Sequence, residues 1–422
     1  MKNLLTYTLN IPNHPIRELK EKFRTQYVMG LGEFMYYISR RDKRAKLVFE
    51  AWAKSIVTDL PTACWRTTND YINLRNTITL KRDCLRFFSM RRIFFFDCLY
   101  LSSILDAKLV QIAYEFLYKY IRNFITRRVL NNIYTHWNSK KIDKIPIQLL
   151  NHRRINEDFQ KKPLKKILVV ATMNAGKSTL INALIGHRVN DVKTTACTNK
   201  LCYTYNKPCD DGITIRYENG ELHYRNNKTD ITENSNFVEV GLHFNSSLAD
   251  SKICFIDTPG VNNSENITHG EITRKAINDN NYDAIIYIEN CQQFNTDDDA
   301  KLRNYVLSHA NKPIIFVLNQ LDCFHPSHDS ILDTMKKIFE ITKQYTTSVI
   351  VPVSAYYALL LRVGDENMDD YDAIQYNHLK KRFQHTYYNL PKYVSGSSIK
   401  YNHNDEISKT GITTLESLIK KI

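Results

Sequence analysis

The stretch ILVVATMNAGKSTLINALIG, Ile167 to Gly186, holds one lysine in a run of apolar and small residues. Ile167 to Ala171 read as a buried strand, Met173 to Gly176 as a turn of small and flexible residues, and Ser178 to Ile185 carry apolar positions at helical spacing. Strand, loop and helix in that order are the setting in which the pattern GxxxxGK[ST] binds phosphate. The loop turns consecutive backbone amides towards one point at a helix N-terminus, where orphan N–H groups and the helix dipole together attract an anion. The pattern is met by Ala171, Gly176, Lys177 and Ser178, with Ala171 in place of the first glycine. Asn174, Ala175, Gly176, Lys177, Ser178 and Thr179 are therefore the candidate phosphate-binding residues. Lys177 is placed to reach β- and γ-phosphates, and Ser178 to offer a hydroxyl to Mg²⁺.

Four further elements follow in a consistent order. KICFIDTPG ends a buried strand with Asp257, then Thr258, Pro259 and Gly260. A carboxylate at that strand end can hold Mg²⁺ through water, and the Gly260 amide can sense a γ-phosphate. FVLNQLD ends another strand with Asn319, Gln320 and Asp322. An acidic side chain that accepts from N1 and the exocyclic amine of guanine selects guanine over adenine, which lacks the paired donors. VIVPVSA ends the last strand with Ser354 and Ala355, where a backbone amide can meet the guanine oxygen. VKTTACTN, upstream of Asp257, offers Thr194, Thr195 and Thr198 as a switch threonine that closes on Mg²⁺ and phosphate, Thr195 being the one assigned to catalysis and metal. Each loop falls at the carboxyl end of an expected strand, where open α/β sheets bind ligands. The combination implies a guanine-nucleotide site for GTP or GDP with Mg²⁺.

The expected fold class is α/β: a P-loop GTPase domain with a mostly parallel sheet over residues 166–422, preceded by an all-α basic helical region over 1–150 and a linker over 151–165. Strand candidates are Lys166 to Ala171, Lys252 to Asp257, Ala284 to Glu289, Pro313 to Leu318 and Ser348 to Val353, alternating with helical segments. GITIRYENGELHYR places two alternating runs about Asn219-Gly220, a hairpin signal. From Ile16 to about Leu150 apolar residues recur at three- and four-residue spacing, which predicts four or more helices, as a bundle or a partial stalk. KIDKIPIQLLNHRRINEDFQKKPLKK, with two prolines and many charges, reads as the connection.

Composition limits the rest. With 43% hydrophobic and 24% charged residues, the 422-residue chain is globular rather than disordered. Its apolar letters after Met1 are too soon interrupted for a signal peptide. Ile93 to Val110, the most apolar stretch, contains Asp97, Asp106 and Lys108 and reads as a buried helix, not a membrane span. None of the nine cysteines falls in a CxxC pair, so reduced thiols in a cytoplasmic setting are expected rather than a disulfide or zinc site. Met1 to Lys166 hold 32 Lys+Arg against 14 Asp+Glu, an excess of 18, while the remainder holds 26 against 30. This asymmetry suggests an anionic partner for the N-terminal region, a membrane surface or nucleic acid, unless the charge is a solvated face.

NAGKSTLINALIG, DTPG and NQLD resemble the GTPase domain of the dynamin family, particularly its bacterial members, over about Lys166 to Ile422. GITTLESLIKKI is similar to the way such domains finish, and the 62 positions from Thr195 to Asp257 exceed what small translation-type GTPases allow. The resemblance implies a large GTPase that dimerises across its nucleotide sites and tethers or remodels membranes, peripheral at their inner face. This chain departs from the family at Ala171, where glycine is usual, at Met173, where eukaryotic members place a water-positioning glutamine, and at Gln320, where lysine is usual. Family members also continue past the GTPase domain into a helical stalk, which here would come from the N-terminal helices or from a partner chain. The leading expectation is a dynamin-like GTPase whose basic region meets an anionic membrane or partner. The alternatives are a ribosome- or RNA-associated GTPase, although no RNA-binding module is recognisable, and a non-hydrolysing GTP-binding subunit of a two-protein assembly.

Overall fold

The computed structural model describes residues 2–11, 13–57, 60, 64–65, 70–79, 89–189, 201–218, 221–225, 237–259, 267–294, 296–343, 349–394 and 405–422. The chain divides into two compact units, Met1–Lys161 and Lys162–Ile422.

In the first unit the apolar spacing forms α1 (Glu21–Ile38), α2 (Ala45–Lys54), α3 (Ile72–Thr79), α4 (Met90–Leu105), α5 (Leu109–Tyr120), α6 (Phe124–Thr135) and α7 (Ile147–Lys161). MRRIFFFDCLYLSSIL in α4 is apolar on every side, so the helix is buried almost all round and packs against α1, α2, α3, α5 and α6. The apolar stretch Ile93 to Val110 is α4 plus the start of α5, separated by Asp106 in extended conformation. Among the described residues no helix is long and apolar enough to cross a membrane. Asp97 is fully buried on α4, yet it has two partners: the Tyr27 hydroxyl donates to it at 2.6 Å and His14 Nε2 lies 3.1 Å away. The Ile16 amide donates to His14 Nδ1 at 3.2 Å, which leaves Nε2 as the ring donor to Asp97.

The linker expected over 151–165 is mostly helix. Pro146 precedes the first residue of α7 and Pro163 follows its end, while Leu149, Leu150, Asn156 and Phe159 are buried on one side. Of the charges that suggested a connection, Arg154, Asp158 and Lys161 lie on the solvated face of this amphipathic helix, while Arg153 is buried over the Trp137 ring.

The second unit contains β1 (Lys165–Ala171), β2 (Leu201–Asn206), β3 (Thr214–Glu218), β4 (Glu221–Arg225), β5 (Phe237–Leu242), β6 (Ile253–Asp257), β7 (Ala284–Asn290), β8 (Ile314–Asn319) and β9 (Ile350–Pro352). They form one sheet in the order β4-β3-β5-β2-β6-β1-β7-β8-β9. From β6 to β9 all neighbours are parallel, and their apolar runs are continuous because both faces are covered. The other half is mixed, with β2 antiparallel to β6 and parallel to β5, and the expected hairpin β3–β4 at the edge. The Asn219-Gly220 turn lies outside the described residues. β2 and β5 were not among the expected strands: Thr204, Asn206 and Glu239 are buried in them, so polar letters occupy core positions and hide the period. The helices are α8 (Lys177–Ile185), α9 (Ile267–Asn278), α10 (Asp297–His309), α11 (Ile331–Thr342), α12 (Ala355–Val363), α13 (Asp370–Arg382), α14 (Glu406–Lys409) and α15 (Ile412–Lys421). α8 packs against β1, β6, α12 and α15, which fixes the helix that follows the phosphate loop.

Candidate nucleotide site

Because β1, β6, β8 and β9 run parallel, the loops after them emerge on the same side of the sheet. Ala171 ends β1 paired with Ile288 and has no positive φ, so that position makes no demand for glycine. The left-handed conformations belong instead to Asn174, at φ 59°, and Gly176, at φ 82°. A Cβ on Gly176 would stand 2.4 Å from Asn319 Nδ2, so close approach as well as backbone conformation requires glycine there.

Lys177 opens α8, followed by the half-buried Ser178 and Thr179. The Lys177 side chain is 8% exposed and its Nζ lies 3.6 Å from Asp257 Oδ1 at the end of β6. Burial pushes the Asp257 carboxyl above the ordinary aspartate range, and the Lys177 ammonium offsets part of that rise. The next residue, Thr258, donates through its hydroxyl to Val169 O at 2.8 Å and ties the end of β6 to β1.

Asn319 joins three loops. Its Nδ2 donates to Ala175 O at 2.9 Å in the phosphate loop, and its Oδ1 accepts the Ala355 amide at 3.1 Å. Gln320, at φ 65°, sends Nε2 to Asn174 O at 2.7 Å, so an amide bridges to the phosphate loop where the resemblance leads one to expect lysine. Asp322 accepts from the Ser354 hydroxyl at 2.6 Å. Ser354 N donates to Thr410 O at 3.0 Å, so both backbone amides expected near a purine oxygen have partners within the protein. Gly411, at φ 78°, permits this approach, since a Cβ there would stand 2.0 Å from Pro352 O. Thr194, Thr195, Thr198 and Gly260 lie outside the described residues.

Asn290, Cys291 and Arg382, which no motif marks, also hold these loops. Asn290, ending β7, sends Nδ2 to Asn174 O at 3.4 Å, and Cys291 donates its amide to Asn319 O at 3.2 Å. The strand-end rule that found Asp257 and Asn319 also points to them. Arg382, on α13, donates to Asp322 O at 2.6 Å and steadies the 320–324 turn. It lies sixty positions downstream in a polar helix, and nothing local marks it.

Loops arranged in this way on a mostly parallel sheet are those of a P-loop GTPase domain. Residues 167–321 match the model of the dynamin family. The chain is also similar to a solved bacterial dynamin pair described as oligomerised and as sensing and tethering membranes over long range, at 13% identity over 98% of this chain and 61% of that one, with a TM-score of 0.38. It is similar to Era in complex with MgGDPNP and nucleotides 1506–1542 of 16S ribosomal RNA, at 18% identity over 58% and 61%, with a TM-score of 0.29. A third likeness is to the G domain of the FeoB iron transporter of T. maritima, at 16% identity over 48% and 100%, with a TM-score of 0.24. This chain spans 61% of the length of the dynamin-pair and Era chains.

Proposed function

We propose that this protein hydrolyses GTP and couples the nucleotide cycle to association with an anionic membrane, as a homodimer across the nucleotide sites or with a stalk-bearing partner. The observation that carries the guanine reading is the Asn319 side chain, which joins the Ala175 carbonyl to the Ala355 amide beside the Ser354 hydroxyl that donates to Asp322. In this reading Asp322 accepts from guanine N1 and the exocyclic amine, and the Gln320 amide lies along the base. The amides of residues 174–179 and the Lys177 ammonium receive the phosphates, and they stabilise charge on the γ-phosphoryl group as water attacks and the bond to the β-phosphate oxygen breaks. Ser178 and Asp257 are hard oxygen donors, and Asp257 is a largely buried carboxylate that a cation stabilises, so the two fit Mg²⁺, with Thr195 as the third group. A Mg²⁺ ion held by these residues would neutralise phosphate charge. Met173 offers a thioether where a water-orienting amide is expected, so intrinsic turnover is slow.

The test is base exchange. Asp322→Asn reverses one donor–acceptor relation and is expected to move preference from GTP to XTP in calorimetric titration. Unchanged selectivity for GTP removes Asp322 from the site.

A further inference from the structure

The first two residues of α6, at the tip where the chain turns from α5, are the two most exposed large apolar side chains among the described residues, Phe124 at 79% and Ile125 at 70% exposure. Exposed Lys119, Arg122 and Arg128 flank them. From Leu109 to Trp137 the chain has one acid, Glu115, against Lys119, Arg122, Arg127 and Arg128.

The turn is built to leave water. Asn123 Oδ1 accepts the Ile125 and Thr126 amides at 2.8 and 3.2 Å, which satisfies backbone groups that the first turn of a helix otherwise leaves to solvent. Arg127 Nε donates to Ile121 O at 2.8 Å, and its guanidinium covers the Tyr118 ring at 4.6 Å, fixing the chain on the other side of the tip. Satisfied backbone groups beneath an exposed apolar pair lower the cost of entering a low-dielectric layer.

We infer that the α5–α6 turn is a membrane-insertion tip: Phe124 and Ile125 enter the headgroup–acyl boundary of an anionic bilayer, while Lys119, Arg122 and Arg128 stay with the lipid phosphates. Two side chains fall far short of the roughly 1,200–2,000 Å² that a stable protein interface buries. A short apolar wedge ringed by cations matches the chemistry of an anionic lipid interface. This inference rests on the membrane reading proposed above and names the residues that would make the contact.

The experiment uses the full chain with vesicles of phosphatidylcholine and phosphatidylserine in a two-to-one ratio. Phe124→Ser/Ile125→Ser is expected to lower co-sedimentation about tenfold or more, from the loss of two buried apolar side chains, with GTP binding and circular dichroism unchanged. Arg122→Gln/Arg128→Gln is expected to reduce binding to these vesicles and to flatten its salt dependence. In Phe124→Trp the fluorescence of the introduced indole is expected to shift to the blue and to be quenched by brominated lipid. If the wild type sediments and the serine variant does so equally, or the introduced indole is not quenched, the tip is refuted while the membrane reading stands. If the wild type does not sediment with the vesicles, both are refuted.

Discussion

Lys177 and Asp257 form the pair on which the proposed phosphate site turns, because the ammonium, 8% exposed, and the carboxylate, 13% exposed, lie 3.6 Å apart. Lys177→Ala is expected to abolish GTP binding in calorimetric titration while leaving the circular dichroism of the fold intact. The apo variant also loses on the order of 1–3 kcal/mol of stability near neutral pH. Burial raises the folded-state pKa of Asp257 above its unfolded value, and losing Lys177 raises it further. A carboxyl raised in this direction favours the fold most below its unfolded pKa, and that advantage disappears as pH rises through the folded pKa. The deficit of the variant relative to wild type should therefore grow from about pH 4 to about pH 7.5, as followed by thermal melts. A deficit equal at both ends removes the pair from the account.

At the scale of elements, β7 and α10 are held by a buried ionic cluster. Arg303 Nη1 donates to Glu289 Oε1 at 3.0 Å and to Asp299 Oδ2 at 2.8 Å, and the Tyr287 hydroxyl donates to Asp299 Oδ1 at 2.9 Å. Burial, then the contact with Asp299, holds the Glu289 carboxyl well above the ordinary glutamate range. Arg303→Met removes the cation and leaves two carboxylates enclosed. The expected cost is about 3–5 kcal/mol in urea unfolding, with partial recovery when Glu289→Gln is added. A cost below about 1 kcal/mol would mean that the cluster contributes little. Asn290, the neighbour of Glu289, reaches the phosphate loop, so this packing also positions one wall of the nucleotide site.

At the scale of the whole molecule, charge and chemistry are divided between the units. Residues 1–164, before β1, carry an excess of 16 positive charges, while all the proposed nucleotide-site residues come after Lys162. Removing Met1–Lys161 is therefore expected to leave a soluble 162–422 chain that binds GTP within about threefold of the full chain, and to abolish salt-sensitive sedimentation with anionic vesicles. Loss of GTP affinity on truncation would show that the helical unit supports the nucleotide loops.

The sequence by itself determined the parallel half of the sheet and the strand, loop and helix that run from Ile167 to Ile185. Strands buried on both faces have to be continuously apolar, and the left-handed turn and the close approach of Asn319 restrict residue type at Gly176. It also determined the helical nature of the first unit, through spacing alone. Tertiary structure decided what composition disguises: α7 where charges suggested a linker, and β2 and β5 where buried Thr204, Asn206 and Glu239 break the apolar pattern. It also decided which distant groups meet. Ala171 serves without glycine because the left-handed turns fall at Asn174 and Gly176, and Arg382 reaches the Asp322 carbonyl from another helix. Contacts across sixty residues depend on how helices pack, and local periodicity carries no record of that.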